Sequence, residues 1–343
     1  MLLDWPHTGP LHAVTPSATD FISLVSVDFF PATATIPTIM TGKADPAKKK
    51  LATIGVLEGL GAYLWWGVVT TLYFRVMDAA DPLELVTWRV LAGLPVIFLV
   101  IYIRGEIGSL RMILRDRRAT FALLISALMI LINWFTFIYS VVNERIIEAS
   151  LGYYINPLVS VALGALFLGE RLRPLQWLAV LIAAGAVWQL TSTVGYLPWI
   201  SLVLAVSFGL YGLVRKQVKA SAEVGLCVEM MLLFAPLLVL QLWLTFEERT
   251  LFANDFSITV GLVLGGIVTV IPLTLFARSA RKVRLSTVGL LQYLAPTTQV
   301  CVAVWIVGEE IGDRWITLCL IAVAVLIYSA DSLRAQEKRT LRS

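Results

Sequence analysis

Ten apolar stretches, each close to 20 residues, follow one another between residues 53 and 332. A helix needs about 20 apolar residues to cross the hydrocarbon core of a bilayer. In lipid every backbone N–H and C=O must be satisfied internally, so repeated runs of this length point to helices. The expected spans are 53–75, 83–103, 119–141, 146–168, 174–194, 197–214, 224–246, 257–278, 285–307 and 313–332. Charged residues make up only 15% of the chain, against roughly 25% in a soluble domain. The expected fold class is therefore an all-α polytopic membrane protein with ten transmembrane helices.

The stretch from Glu148 to Glu170 has a cousin 139 residues further on, from Thr287 to Glu309. At that one gapless offset Tyr154 falls on Tyr293, Pro157 on Pro296, Gly169 on Gly308 and Glu170 on Glu309, and upstream Glu84 falls on Glu223. The offset divides the ten spans into two five-helix repeats, residues 51–194 and 195–332. An odd number of spans per repeat turns the second copy upside down, and inverted repeats are a common build for secondary transporters.

Lysine and arginine fix the expected orientation. With the N-terminal flank in the cytoplasm, 22 of them flank spans on the cytoplasmic side and four (Arg75, Arg145, Arg249 and Arg314) on the other. Both termini are then expected in the cytoplasm. Residues 1–50 carry six prolines and no helical period, and are expected to form a disordered tail. Met40, which opens MTGKADPAKKK, reads as a more natural start. Residues 333–343 form a polar C-terminal tail.

A charge near the bilayer centre costs roughly 2.5–3.5 kcal/mol on insertion scales, so each one needs a reason. Glu58 lies in span 1, Glu84 and Arg89 in the first turns of span 2, and Glu229 early in span 7. Headgroups and water at a span end are one account of Glu84 and Glu223; a wet pathway is the other. Arg89 lies deeper and is expected in a water-filled pathway, paired with another helix. Span 3 carries a polar stripe, Asn133, Thr136, Ser140 and Asn143. Span 4 repeats the rhythm with Ser150, Tyr153, Pro157, Ser160 and Gly164, and span 9 with Gln292, Pro296 and Gln299. Proline frees a carbonyl one turn back, and broken helices line substrate cavities. A central cavity between spans 4 and 9 is expected, although close packing would also explain Ser160 and Gly164. Gly169-Glu170 and Gly308-Glu309 read as helix stops, with the glutamate tying a short turn to the next helix.

Other chemistry finds no support. Cys227, Cys301 and Cys319 sit in apolar runs without CxxC spacing, as packing residues would. Both histidines, His7 and His12, lie outside the apolar body. There is no HExxH, GxSxG or GxxxxGKS/T, so no metal, nucleotide or other cofactor is expected and the chain is not expected to be an enzyme. Nucleic acid is not an expected partner.

Four stretches carry a resemblance: NWFTFIYSVVN (133–143), EASLGYYINPLVSVALGALFLGERLRPLQWLAV (148–180), YGLVRK (211–216) and RLSTVGLLQYLAPT (284–297). The chain resembles the RarD family of permeases, the chloramphenicol-sensitive proteins, within the EamA-type drug/metabolite transporters. The resemblance covers most of residues 53–332. It implies two inverted EamA-like units in the bacterial inner membrane. Span 1 departs from the family pattern at Thr70 and Arg75. Span 2 carries Trp88-Arg89 where the family commonly has His-Arg. Without that histidine, Glu58, Glu84 and Glu229 remain as candidate proton carriers.

The expected function is a secondary active transporter that moves a small metabolite or drug-like solute by alternating access. Arg89 would attract an anionic or carboxylate-bearing solute. Trp66, Tyr153, Tyr154 and Tyr293 would supply flat walls with polar tips. Tyr63, Trp134, Asn156 and Tyr211 complete the expected pathway with Asn133, Pro157, Gln292 and Pro296. The lipid bilayer, the solute and a coupling proton are the expected partners; oligomeric state is left open. The alternative is a non-transporting membrane scaffold or lipid-binding component, which would tolerate changes in the polar stripes.

Overall fold

The computed structural model describes residues 46–143, 145–194 and 199–302, together with Cys319, Leu320, Val323 and Ile327. The expected N-terminal tail up to residue 45, most of span 10 and the C-terminal tail lie outside the described residues. What is described is helical, with no strand among the described residues. The order is α1 (Pro46–Leu64), a π-helical segment (Trp65–Thr70), α2 (Thr71–Val76), α3 (Pro82–Leu91), α4 (Gly93–Ile103) and α5 (Ile107–Arg115). There follow α6 (Arg117–Val142), α7 (Ile146–Leu168), α8 (Pro174–Val194) and α9 (Trp199–Gln217). The last are α10 (Ala222–Phe246), α11 (Phe256–Lys282), α12 (Leu285–Leu291) and α13 (Leu294–Val302). Among the described residues, six stretches are long and apolar enough to cross a membrane: Lys50–Val76, Pro82–Ile103, Arg117–Ser140, Trp199–Gln217, Ala222–Phe246 and Phe256–Lys282.

Local chemistry sets the ends. Asp81 caps α3 by accepting from the Leu83 amide at 2.8 Å, with Pro82 in the first turn. Ser221 caps α10 through the Val224 amide, and Asp255 caps α11 through the Ile258 amide. Gly169 ends α7 at φ +62°, a left-handed turn that suits glycine. The two prolines at the repeat offset behave differently. α7 runs straight through Pro157, whereas span 9 breaks at Gln292-Tyr293, four and three residues before Pro296. Proline has no N–H to give the carbonyl four residues back. The Gln292 carbonyl instead takes the Ala295 amide at 3.2 Å, a tighter turn that splits the helix. The expectation of two proline-broken helices thus holds for span 9 and fails for span 4.

Several helix pairs run antiparallel, whereas α7 lies parallel to α9, with Gly152 against Ser201 and Leu204 and Gly209 against Val159 and Leu163. Lys282, the last residue of α11, reaches Glu58 in α1, while Met77 beyond α2 lies against Gly261 near the start of α11. Glu84 at the start of α3 binds the loop after α10, and Ser221 at the start of α10 donates to Glu106 after α4. Glu170 beyond α7 meets the start of α12. Asn133 of α6 donates to the Leu204 carbonyl and Ser207 of α9, and Tyr139 near the end of α6 meets Trp199 at the start of α9. These pairings define two ends of the bundle: a near end, where α1 begins, and a far end.

Two expectations need correction. The loop after span 2 holds an unexpected amphipathic helix, α5, which buries Leu110 and Ile113 and leaves Met112 exposed. Arg215, Lys216, Arg278, Arg281 and Lys282, counted as loop cations, belong to the last turns of α9 and α11. Arg215 is buried, at 3% exposure. Leu166, Trp188, Val239 and Phe246 are exposed on outer faces, as a lipid-facing surface requires.

Candidate functional site

The expected pathway residues fall into separate groups. The first surrounds Arg89, seven residues into span 2. Its Nε donates to Thr269 of α11 at 3.0 Å, and its guanidinium carbon stands 4.1 Å over the Trp134 ring and 5.8 Å from the Phe74 ring. Tyr73 and Tyr153 lie close enough to feel its charge. Arg89 forms no ion pair among the described residues, and it is half-buried rather than sealed. The partner expected on another helix is therefore a hydroxyl and two rings, not a carboxylate. A guanidinium stacked on indole keeps its in-plane N–H groups free for a planar acceptor. Trp88, at the position where the family pattern has histidine, stacks on Phe252 at 4.1 Å.

The second group is an aromatic cluster from span 1, α9 and α11. Trp66 lies 5.5 Å from Tyr63, 5.8 Å from Phe208 and 6.0 Å from Phe276; Tyr211 stacks on Phe276 at 5.6 Å. Tyr63, Tyr211 and Phe276 are fully buried. The π-helical segment that presents Trp66 also crosses α13 closely. A Cβ on Gly67 would strike the Thr298 side chain and come 2.9 Å from the Ala295 carbonyl. π-Helical turns recur at functional sites.

The third group is the crossing of α7 with α12 and α13. Tyr293 donates to the Tyr154 carbonyl at 3.2 Å, joining the two residues that share the repeat offset. Both rings pack toward α8, Leu320 and Ile327. A Cβ on Gly289 would come within 2.7 Å of the Ser160 Cβ and 3.0 Å of the Pro157 carbonyl. This crossing is tight. Asn156 and Gln292 are buried, each with a side-chain carbonyl lacking a hydrogen-bond partner.

The carboxylates are dispersed. Glu84, wholly buried, accepts from the Leu251 amide at 3.0 Å, the Phe252 amide at 3.1 Å and the Thr250 hydroxyl. Neither headgroups nor water solvate it; it clamps a loop. Glu58 holds Lys282 with both oxygens at 2.6 Å. Glu170 accepts from the Leu285 amide at 2.7 Å, the Ser286 amide at 3.0 Å and the Ser286 hydroxyl at 2.6 Å. It ties its turn to α12 rather than to the next helix. Glu229 faces Arg215, a residue the sequence reading counted only as a loop charge; the signal it missed is Gly225 four residues before Glu229.

The open space lies elsewhere. A cavity of about 500 Å³ opens at the far end, lined by Asp81, Thr136, Tyr139, Asn143, Trp199 and Arg249 among others. Half of the polar stripe on α6, Thr136 and Asn143, faces it, while Asn133 is spent on α9.

A helical chain with six apolar helices long enough to cross a bilayer among its described residues is a polytopic membrane protein. Residues 53–192 match the EamA-like transporter family. The chain is 40% identical over 290 residues to protein RarD of Streptomyces exfoliatus, covering 84% of this chain and 92% of that one. It is 38% identical over 287 residues to protein RarD of Escherichia coli, covering 83% and 96%. A transporter of Vibrio cholerae is 37% identical over 298 residues, covering 86% and 97%. A solved crystal structure superposes with a TM-score of 0.64 at 22% identity, over 82% of this chain and 97% of that chain, so the fold is shared. The chain belongs to the RarD family of EamA-type transporters, and is a membrane permease of the drug/metabolite transporter class.

Proposed function

We propose that the protein is a secondary active transporter that moves a small anionic or carboxylate-bearing metabolite or drug-like solute by alternating access. The reading builds on two inverted five-helix repeats, residues 51–194 and 195–332, in the bacterial inner membrane with both termini cytoplasmic. The near end is then cytoplasmic and the conformation is outward-facing. One observation carries it: Arg89, midway along the bundle, is half-buried, stacked on Trp134 and without an ion pair among the described residues. Keeping such a charge is costly unless a solute or water meets it. The cavity at the far end and the aromatic cluster of Tyr63, Trp66 and Tyr211 toward the near end support an outward-facing state. Trp134, Tyr153 and Thr269 would orient the solute; Asn156 and Gln292, with idle carbonyls, would meet it as it passes α7 and α13.

The test is flux in proteoliposomes, screening labelled carboxylates and drugs. Arg89→Ala should abolish transport of anionic solutes while leaving expression and thermal unfolding intact. Undiminished transport by that variant would remove Arg89 from the pathway.

A further inference from the structure

The described carboxylates inside the bundle can be ranked by how fully their oxygens are used. Glu58 gives both to Lys282. Glu84 and Glu170 give both to amides and hydroxyls. Glu223 meets Arg104 at 3.1 Å and Arg278, both through Oε1. Glu229 differs. It is 2% exposed, and its Oε1 takes the Ser126 hydroxyl at 2.6 Å and stands 3.6 Å from Arg215 Nη1. Its Oε2 is buried and has no hydrogen-bond partner. Arg215 is equally incomplete: Nη2 donates to the Ala222 carbonyl at 2.5 Å, while Nε is idle. Glycine at 225 makes room for this guanidinium, since a Cβ there would overlap Nη1.

A buried ion pair with unused oxygens and N–H groups is a poor stabiliser, because desolvation of both charges is only partly repaid. The idle oxygen is also where a proton would bind. Resting on the transport reading above, we infer that Glu229 is the proton-binding site of the near-end gate, with Arg215 as the internal cation that keeps it unprotonated while that end is shut. A proton from near-end water forms a bond to Oε2 and neutralises the carboxylate. Arg215 then holds an uncompensated buried charge, which is unfavourable. The end of α9 and the start of α10, which the pair joins, separate and let the guanidinium reach water.

The surrounding groups fit that assignment. From α9 come Arg215 and Tyr211, whose hydroxyl lies beside the pair. From α11 come Arg278, engaged by Glu223, and Arg281, which donates to the Val218 carbonyl. Arg104, after α4, also engages Glu223, and Glu106, before α5, engages Ser221. α6 presents Ser126, and α10 itself adds Cys227, also buried. The other acids are therefore committed to partners of their own.

The experiment is hydrogen exchange of the full chain in lipid nanodiscs across a pH series, corrected for intrinsic rates and read over residues 211–229. Wild type should exchange several-fold faster as pH falls. Glu229→Gln should exchange fast at every pH. Glu58→Gln should keep the wild-type pH dependence. Ser126→Ala removes a donor to the carboxylate, so its midpoint should move to higher pH; this readout stands even if Glu229→Gln fails to fold. Flat exchange in wild type, a pH dependence surviving in Glu229→Gln, or an unmoved midpoint in Ser126→Ala would each overturn the assignment. A chain that passes this test yet carries no solute in vesicles would sink the transport reading alone.

Discussion

Glu84 and Glu223 lie 139 residues apart, each near the start of a helix, yet they are held by different chemistry. Glu84, at the far end, is buried against amides, a hydroxyl and Gln241, without a cation. Glu223, at the near end, is held by Arg104 and Arg278. The same contrast runs through the two ends. Near the start of α1 the bundle is tied by Glu58–Lys282, Arg215–Glu229 and Lys216 on the carbonyls of Ala280 and Val283. At the far end, beyond the Glu84 clamp, an exposed pair, Arg249–Asp81, lies beside an open cavity. The cause lies in the distribution of cations. Lysine and arginine are more numerous on the near-end side of the spans, so ion pairs concentrate there. Glu84 at the other end is met by amides and a hydroxyl instead. The two locks therefore differ in how they answer to pH and salt.

The contrast breaks most visibly at Glu84. Glu84→Ala should lower stability by about 1–3 kcal/mol for each donor it leaves unpaired, two amides and a hydroxyl, read as a large drop in the thermal midpoint. A small drop would mean that the far end is not held by this clamp. Gly225→Ala should cost about 1–3 kcal/mol, because the new methyl displaces the Arg215 guanidinium. Its effect should appear as faster exchange at the near end with the far end unchanged. Arg249→Ala removes a pair whose arginine is 44% exposed, and should cost less than about 1 kcal/mol and less still at high salt.

The smallest effect belongs to Asp255, which caps α11 at the far end. The Ser257 hydroxyl and the Ile258 amide hold its carboxyl below the usual carboxylate range. A lowered folded-state value contributes stability above the unfolded value, and that stability is lost as pH falls through the lowered one. Asp255→Asn should flatten this acid limb of a pH–stability curve and leave the near end untouched.

Part of this was legible in order of residues. The helical class and six of the spans follow from apolar length. The partners were not. Asn133 looked like a pathway residue and is spent on α9; Glu170 looked tied to the next helix and reaches α12; Arg215 looked like a loop cation and is buried. Pro157 and Pro296 share an offset, but only the second breaks its helix.

The sequence by itself determined that this chain is helical, spans a membrane and belongs to a permease family, because apolar length and motif identity are properties read along the chain. Only the tertiary structure decided which buried charges are satisfied. That depends on what another helix, often 100 or more residues away, places within 3 Å, and a hydrogen bond's reach is too short for spacing along the sequence to foretell it.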